Sequence, residues 1–330
     1  MKKQQLATLI FNPLAGPANL AASMELVADF WRTRGWDVVI RPTQAVGHAT
    51  VLAREAAAAR HGLVLAAGGD GTLGEVTNGL VGTQTIMAPL PLGTANSFAR
   101  ELNMPLPGLF NPHRLLQAID VLADGRVQEM DLGHTAVQGG SQNGRYWLLW
   151  AGVGADGYLV DELEPRPKWT KRVGPISYVF QGVPVMLRLP AMTAVVEVDG
   201  QTFADDYLLV LISNSRRYAG GMVELSPQAY LDDGLFEVWL FRGRGVLRIA
   251  HYLALAKFGD LADRPDVIRL MAEKIDIKTD PPFPFQTDGE PAGRTPFTVS
   301  IRPRALRLLV PSTAPTDLFL RPGIPLAELA

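Results

Sequence analysis

Apolar and polar residues alternate along the first third of the chain in the manner of strands that are each followed by a helix. The pattern predicts strands over Leu6–Phe11, Asp37–Arg41, Leu63–Ala67 and Thr85–Ala88, and helices over Leu20–Arg34 and Ala49–Arg60. Such alternation is typical of a doubly wound α/β domain built on a parallel sheet. Ligands of that fold bind at the carboxyl ends of the strands.

From about residue 129 the pattern changes to strand-like runs separated by turns, at Tyr146–Gly152, Thr193–Val198, Tyr207–Ile212 and Leu235–Phe241. Asp199-Gly200 and Asp233-Gly234 are turn signals between such runs. We therefore expect an α/β domain over residues 1–128, a mostly antiparallel β domain over 129–311, and a tail over 312–330 in which we read no function. Two apolar and basic segments, Lys168–Leu189 and Val246–Phe258, are predicted to be helices packed on the β domain.

Composition narrows the class of protein. The 330 residues are 47% hydrophobic, which is enough for about two domains with full cores. A formal net charge of -2 gives no basic excess for binding nucleic acid. The absence of cysteine excludes disulfides, thiolate zinc sites and a cysteine nucleophile, and fits a reducing compartment. Because no apolar run approaches the ~18 residues that span a bilayer, we expect any membrane contact to be peripheral.

The strongest local signal is the glycine-rich turn Gly68–Glu75, which lies between the predicted strand Leu63–Ala67 and a helical pattern that runs through Leu80. Glycines allow the backbone to approach phosphate oxygens, and the N–H groups at the start of a helix favour negative charge. Thr72 and Glu75 have the spacing of a capping box, which predicts that they cap this helix. The turn is therefore a candidate phosphate site.

Two common nucleotide-binding motifs do not describe this turn. Gly69, Gly71 and Gly74 match G-x-G-x-x-G, but no acidic residue for a ribose follows between Glu75 and Glu101. A carboxylate at Asp70 would also repel a pyrophosphate unless a cation lay between them. The sequence G-x-x-x-x-G-K-[ST] of P-loop kinases is absent. These observations argue against a dehydrogenase and a P-loop enzyme.

Two further turns follow strands of the same predicted sheet, Asn12–Gly16 and Pro91–Arg100. Turns at the carboxyl ends of parallel strands can converge on one crevice. With Thr43 ahead of Gly47-His48-Ala49, and with Ala219-Gly220-Gly221, Asp232-Asp233-Gly234-Leu235 and Asp288-Gly289-Glu290, they form an ordered set of motifs. In this order and spacing the chain, from Asn12 to about Pro311, resembles the diacylglycerol kinase catalytic family. The soluble bacterial lipid kinases of that family share a superfamily with NAD kinases and sphingosine kinases.

The resemblance implies an ATP-binding α/β domain, a β-sandwich-like domain and an active site in the cleft between them. It implies a Mg²⁺-dependent lipid kinase of lipid metabolism and phospholipid biosynthesis that phosphorylates diacylglycerol or a related lipid alcohol. The implied protein is cytoplasmic and peripherally associated with the membrane that holds its substrate, with no nucleic-acid partner, and a homo-oligomer is compatible with it. The implied ATP contacts are Asn12, Thr43, Gly68, Gly69, Asp70, Gly71, Thr72, Leu73, Gly74, Glu75 and Thr94.

The resemblance also implies a structural metal at Asp233, completed by the backbone carbonyls of Tyr230 and Leu235. It places the proton acceptor in Asp288-Gly289-Glu290, where either carboxylate fits the role of general base. The surrounding segment Pro281–Pro291 is rich in proline and irregular, so we expect both carboxylates to lie on a loop or a sharp turn. Many family members carry aspartate where this chain has Ser97, which leaves the lipid acceptor open. The alternatives are a soluble small-molecule kinase such as an NAD kinase, and a catalytically silent nucleotide- or lipid-binding protein.

Overall fold

The computed structural model describes residues 5–14, 20–107, 114–139, 144–163, 182, 184–221, 223–258, 261 and 264–329. The chain divides into two compact units. Unit 1 comprises Met1–Asp131, Leu231–Asp233 and Pro303–Ala330, and unit 2 comprises Leu132–Tyr230 and Gly234–Arg302.

Unit 1 is built on four parallel strands in the order β2-β1-β3-β4, and the prediction of a parallel α/β sheet is confirmed. The strands are β1 (Gln5–Phe11), β2 (Trp36–Pro42), β3 (Leu63–Gly68) and β4 (Ile86–Pro91). The helices that connect or follow them are α1 (Leu20–Arg32), α2 (His48–Ala58), α3 (Asp70–Leu80), α4 (Ser97–Glu101) and α5 (Arg114–Ala123). Every residue of β3 and β4 is buried, as expected for central strands with both faces covered.

Later segments of the chain return to complete unit 1. Strand β5 (Arg126–Val137) leads the chain out of unit 1, and β17 (Phe297–Val310) leads it back, with Leu308 in parallel register with Met87 of β4. Beyond β17, a short strand β18 (Ile324–Pro325) pairs antiparallel with β5 and is followed by helix α8 (Leu326–Leu329).

Unit 2 is a β-sandwich-like unit of mostly antiparallel strands, as predicted. Its elements are β6 (Arg145–Trp147), β7 (Trp150–Gly154), α6 (Ala155–Leu163), β8 (Met192–Val198), β9 (Gln201–Ser213), β10 (Arg217–Tyr218), β11 (Val223–Glu224), β12 (Phe236–Arg242), α7 (Val246–Phe258), β13 (Val267–Ala272), β14 (Lys274–Thr279), β15 (Pro284–Thr287) and β16 (Glu290–Arg294). Its core contains stacked aromatic pairs, Trp147 on Phe236 and Phe285 on Phe297, with ring centroids 5.2 and 3.9 Å apart.

Most predicted elements of unit 2 are confirmed, and one is wrong. Helix α7 has the predicted bounds, and Asp199-Gly200 forms the turn between β8 and β9 with positive φ at both residues. The single strand predicted over Tyr146–Gly152 is instead two strands, β6 and β7, interrupted at Leu148 and Leu149. The predicted helix over Lys168–Leu189 falls mostly outside the described residues. Within the described ranges, no helix combines the length and the apolar character that crossing a lipid bilayer requires.

Candidate active site

The parallel strands of unit 1 place the predicted nucleotide residues at one edge of the sheet. Strand β1 lies between β2 and β3, so the connections β1 to β2 and β3 to β4 run to opposite sides. Such a switch point leaves a crevice at the carboxyl ends of the strands, where ligands of α/β proteins bind. Asn12 follows β1 and Gly69 follows β3 at this point, and the Asn12 N–H donates to the carbonyl of Ala67 at 3.2 Å.

The two remaining turns lie at the same edge. Thr43 follows β2, and its N–H donates to the carbonyl of Phe11 at 2.9 Å. Thr94 follows β4. The four turns predicted from the sequence to contact ATP therefore all lie at the carboxyl ends of neighbouring strands.

The turns after β3 and β4 touch through glycines. The N–H of Leu92 donates to the carbonyl of Gly68 at 2.8 Å. A Cβ on Gly93 would lie 2.4 Å from Cα of Gly69, and a Cβ on Gly69 would lie 3.2 Å from Cα of Gly93. Gly68 has no room for a side chain either, because a Cβ there would lie 2.4 Å from Oγ1 of Thr72. Close contact between two backbones therefore requires the absence of side chains here.

Helix α3 begins without a side-chain cap, and the predicted capping box of Thr72 and Glu75 is wrong. The N-cap residue is Gly69, with no side-chain hydrogen bond to the first turn. The Glu75 carboxylate instead accepts the N–H groups of Gly47 at 2.8 Å and Ala49 at 3.0 Å, and so caps helix α2. Gly71 and Thr72 lie in the first turn of α3, whereas Leu73 and Gly74 are buried in the helix.

Asp70 also caps a neighbouring helix. Its two carboxylate oxygens accept the N–H groups of Ser97 at 3.0 Å and Phe98 at 3.1 Å, at the start of α4. Burial raises the pKa of Asp70 because a buried carboxylate loses hydration, and the two amide hydrogen bonds oppose this effect. Asp70 and Glu75 thus tie the glycine-rich turn to the helices that follow β4 and β2.

In unit 2 the predicted base residues lie at a sharp hairpin turn, which is one of the two arrangements expected from the sequence. Strands β15 and β16 pair antiparallel, and Asp288 and Gly289 form the turn between them with φ of 50° and 79°. Such a turn requires positive φ at both positions, which glycine and aspartate tolerate better than most residues. The proline-rich composition of the segment had suggested irregular structure, but Pro284 lies in β15 and Pro291 in β16. Glu290 is the first residue of β16.

The carboxylate of Asp288 is held by three backbone N–H groups of the break between β6 and β7. Leu148 N–H donates to Oδ2 at 2.8 Å, and Leu149 and Trp150 N–H donate to Oδ1 at 2.8 and 3.2 Å. Burial raises the pKa of Asp288 to about 6, while these hydrogen bonds and the charge of Arg145 lower it. A carboxyl group with this pKa is matched to proton transfer near neutral pH.

Glu290 is in a different environment. It forms an ion pair with Arg145, and the side chains of Glu290 and Arg145 are 44% and 33% exposed. The Arg145 guanidinium therefore occupies the Glu290 carboxylate, which is partly exposed, whereas the Asp288 carboxylate is held by backbone N–H groups. The structure therefore distinguishes two carboxylates that the sequence had left equivalent.

A polar cluster next to the hairpin was missed in the sequence. Oδ2 of Asp156, on α6, accepts the Tyr218 hydroxyl at 3.0 Å and Nε2 of Gln286 at 2.8 Å. Oε1 of Gln286 accepts the N–H of Gly289 at 2.7 Å. The signal available in the sequence was Gln286, a polar residue two positions before Asp288. The structure shows that this position of β15 is fully buried.

The predicted metal segment lies where the chain passes between units. Asp233 belongs to the short segment Leu231–Asp233 of unit 1, whereas Tyr230 and Leu235 belong to unit 2. The preceding Asp232 accepts the N–H groups of Leu320 at 2.6 Å and Arg321 at 3.0 Å. Among the described residues, no group of three or more His, Asp or Glu side chains is placed to hold a metal ion. The site predicted from one carboxylate and two carbonyl oxygens stays a prediction.

Known proteins share both halves of this arrangement. Residues 6–135 match the model of the diacylglycerol kinase catalytic domain, and residues 152–310 match that of the YegS C-terminal NAD kinase beta sandwich-like domain. The diacylglycerol kinase of Staphylococcus carnosus (strain TM300) is 29% identical over 293 residues, covering 88% of this chain and 90% of its own. That of Staphylococcus aureus (strain MRSA252) is 28% identical over 293 residues, covering 88% and 87%.

Solved structures show the same fold. A crystal structure of a diacylglycerol kinase from Bacillus anthracis str. Sterne covers 96% of this chain and 100% of its own, with a TM-score of 0.68 at 22% identity. A second crystal structure from the same strain covers 96% and 98%, with a TM-score of 0.76 at 24% identity. The two domain models match in succession and the full-length relatives match across both units, so the chain belongs to the diacylglycerol kinase catalytic family.

Proposed function

We propose that the chain transfers the γ-phosphoryl group of ATP to the hydroxyl of diacylglycerol or a related lipid alcohol in a Mg²⁺-dependent reaction. The observation that carries this proposal is the contact of Gly69 with Gly93 at the switch point of the sheet, beside the uncapped start of helix α3. The names of the relatives described above, which are diacylglycerol kinases, support a lipid acceptor.

The turns of unit 1 fit the triphosphate of ATP. Backbone N–H groups at the start of α3 face no capping side chain, and glycines on both turns leave the backbone accessible. Such a surface binds phosphate oxygens by hydrogen bonds and by the positive end of the helix dipole. Asn12 and Thr43, on the flanking turns, supply polar groups beside it.

The acidic residue of the glycine-rich turn fits a hydrated Mg²⁺ ion. The Asp70 carboxylate accepts the N–H groups of Ser97 and Phe98 and a hydrogen bond from the Ser97 side chain, and it would face the hydrated ion through a water molecule. Bound Mg²⁺ would neutralise the charge of the phosphates during transfer. Ser97, next to Asp70, contributes no second carboxylate.

Asp288 is the better placed general base of the two candidates. Its Oδ2 accepts one N–H, from Leu148, and therefore keeps a lone pair for the proton of the acceptor hydroxyl. Glu290 is engaged by Arg145. We assign proton abstraction to Asp288 and hold that the pair of Glu290 and Arg145 orients the hairpin or the acceptor.

Reaching a lipid requires contact with a membrane surface. Helix α7 offers an apolar side chain, Leu247, with 84% of its surface exposed, next to the basic side chain of Arg248, which is ion-paired with Asp266. Apolar side chains inserted among lipid headgroups, with cations facing anionic lipids, give weak, salt-sensitive binding. We propose peripheral membrane contact through α7. Co-sedimentation with anionic vesicles at low and high salt tests it, and Leu247→Asp should abolish the sedimentation.

The activity is tested with γ-labelled ATP, Mg²⁺ and mixed micelles that contain diacylglycerol. We expect label in a phospholipid that extracts into organic solvent, and none when diacylglycerol is omitted. Label in a water-soluble product of added NAD would indicate an NAD kinase. ATP binding by calorimetry without any labelled product would indicate a silent nucleotide-binding protein. Either result contradicts the proposed function.

A further inference from the structure

We propose that Asp156 and Gln286 form a positioning pair that sets the Asp288-Gly289 turn for catalysis, a role that rests on the proposed function. The pair lies within unit 2 and connects helix α6 to the hairpin of β15 and β16. Neither residue belongs to the sequence motifs that imply the activity. The inference follows from the direction of each hydrogen bond in the cluster.

The pair binds Gly289, the residue of the turn that the hydrogen bonds of Asp288 leave unsupported. The carboxylate and N–H of Asp288 are bound to the backbone of Leu148, Leu149 and Trp150. The next N–H, that of Gly289, donates to Oε1 of Gln286 at 2.7 Å. Because Asp288 and Gly289 both have positive φ, the turn depends on hydrogen bonds at both residues to keep its shape.

Asp156 determines how the Gln286 side chain is oriented. Gln286 is 1% exposed, and its Nε2 donates to Oδ2 of Asp156 at 2.8 Å. The Tyr218 hydroxyl donates to the same oxygen, and the Gly157 N–H donates to Oδ1 at 2.7 Å. Because the Asp156 carboxylate is an acceptor, the NH₂ group of the Gln286 amide points toward it. The oxygen of that amide must then face the N–H of Gly289.

The space around the carboxylate is also specific. A Cβ on Gly152 would lie 2.1 Å from Oδ2 of Asp156, so this position of β7 admits the carboxylate only because it is glycine. Burial raises the pKa of Asp156, while the hydrogen bonds from Gln286, Tyr218 and the backbone oppose this effect. A carboxylate in such surroundings is costly, and the donors that surround it offset the cost.

The substitution Asp156→Asn keeps the shape of the side chain but replaces an acceptor by a donor, which disrupts the chain of hydrogen bonds from Gly289 through Gln286 to residue 156. If the oxygen of the introduced amide faces Gln286, the NH₂ group of that amide opposes the N–H of Gly157. If the introduced NH₂ group faces Gln286, the Gln286 side chain must flip, and its own NH₂ group then opposes the N–H of Gly289. Either orientation leaves two buried donors facing each other, which is strongly unfavourable.

The double substitution Asp156→Asn with Gln286→Glu restores the bonds. The introduced amide donates through its NH₂ group to one oxygen of the introduced carboxylate, and its own oxygen accepts from Gly157. The other carboxylate oxygen accepts from Gly289, and the Tyr218 hydroxyl rotates to accept the second N–H of the amide. Charge and size of the pair are conserved, and only the positions of donor and acceptor are exchanged. Rescue by this variant therefore tests the hydrogen-bond order and not the presence of a particular residue.

The experiment compares the parent, Asp156→Asn, the double variant and Tyr218→Phe, which removes another bond to the same oxygen but leaves the Gln286 bond to Gly289. We expect Asp156→Asn to lower kcat by about 10- to 100-fold with little change in KM for ATP, as misplacement of a reacting group does. The acidic limb of its pH–rate profile should move to higher pH, because Asp288 loses amide hydrogen bonds. The double variant should recover kcat to within about threefold and restore the limb, and Tyr218→Phe should stay close to the parent.

Each remaining outcome decides against the pair. If Asp156→Asn keeps the parent's kcat, the arrangement of donors and acceptors is unimportant for catalysis. If the double variant does not recover kcat, another property of Asp156 matters. A kcat of Asp156→Asn that is lower at every pH, with the acidic limb of the pH–rate profile unshifted, indicates a structural role alone. If Asp156→Asn does not fold, the double variant decides, and its failure to fold or to act overturns the proposal.

A measurement that needs no substrate separates failure of the positioning pair from failure of the proposed kinase activity. Hydrogen exchange of the Gly289 amide, followed by mass spectrometry of peptides that span 284–294, reports on the turn without any substrate. Faster exchange in Asp156→Asn and recovery in the double variant would support the positioning pair even if the parent phosphorylates no lipid. Equal exchange in all three proteins would overturn the pair, whatever the activity of the parent.

Discussion

The carboxyl group of Asp288 experiences two opposing effects, and their balance makes it suited to accept a proton. Loss of hydration raises its pKa, and three backbone N–H groups lower it, with a net value of about 6. A base with a lower pKa would accept a proton less readily, and one with a higher pKa would already be protonated at neutral pH.

We expect the rate of phosphoryl transfer to fall as the pH drops through about 6, because protonated Asp288 cannot accept the hydroxyl proton. Asp288→Asn should lower kcat by about 10²- to 10⁴-fold, leave ATP affinity nearly unchanged and remove this pH dependence. Steady-state rates between about pH 5 and 8, on either side of this pKa, measure the effect.

The exposed Asp280, which precedes the same hairpin, provides the control for Asp288. Asp280→Asn should behave like the parent at every pH. Glu290→Gln should lower kcat less than Asp288→Asn and keep the acidic limb. If Glu290→Gln removes the limb and Asp288→Asn retains it, the two assignments are reversed.

Sequence reasoning located these residues but not their partners. Asp288 and Glu290 were found because a short motif contains them, whereas Asp156 lies 130 positions from Gln286. Glu75 had the spacing of a local cap, yet its carboxylate binds amides 26 and 28 positions away. Local spacing predicts local hydrogen bonds, and tertiary contacts that satisfy the same donors can replace them.

At the scale of elements, the contact between the turns after β3 and β4 depends on two glycines, Gly69 and Gly93, which differ in the space that a side chain would have. Gly69 has an extended conformation, with φ of −90° and ψ of −176°, and a Cβ there would lie 3.2 Å from Gly93. On Gly93 the distance to Gly69 would be 2.4 Å, which no packed structure tolerates without movement of the backbone.

We therefore expect Gly93→Ala to weaken ATP binding and lower the melting temperature more than Gly69→Ala does. Forced separation of two backbones costs about 1–3 kcal/mol in cores that are otherwise well packed. Calorimetric titration with ATP and thermal unfolding measure the two effects. Gly82→Ala, at a surface turn of the same unit with positive φ and no atom near its Cβ, should lower the melting temperature through backbone strain but leave ATP affinity unchanged, and so controls for a general loss of stability. Equal ATP affinity in Gly93→Ala and the parent would place the phosphates elsewhere.

The elements of unit 1 could be predicted closely, because apolar runs between helical patterns leave few alternatives. Helix α1 was expected over Leu20–Arg34 and spans Leu20–Arg32. The break between β6 and β7 could not be predicted, because Leu148 and Leu149 are apolar and continue the strand pattern. Their N–H groups turn away to bind Asp288, a residue that lies about 140 positions later.

At the scale of the molecule, two adjacent aspartates have different expected roles where the chain briefly returns to unit 1. Asp232 accepts the N–H groups of Leu320 and Arg321 and so secures the last segment of the chain. Asp233 is the predicted metal ligand. An ion that binds only the folded protein raises its melting temperature.

Asp233→Ala should abolish the rise in melting temperature that Mg²⁺ produces, because the ion loses its carboxylate. Asp232→Ala should lower the melting temperature, since the two hydrogen bonds from the N–H groups of Leu320 and Arg321 are lost at about 0.5–1.5 kcal/mol each, but should keep the response to Mg²⁺. Thermal unfolding with and without the ion separates the two. A Mg²⁺ response that survives in Asp233→Ala would contradict the metal site.

The return of β17 to unit 1 has a consequence for the order in which the protein is made. Leu308 lies beside Met87 of β4, yet about 170 residues, nearly all of unit 2, are translated between Asp131 and Pro303. At synthesis rates of about 5–20 residues per second, that interval lasts about ten to thirty seconds. Throughout it, the nascent sheet of unit 1 leaves the outer edge of β4 unpaired on the ribosome. An unpaired strand edge is a template for pairing with another chain, so a stalled or truncated chain would aggregate at this point.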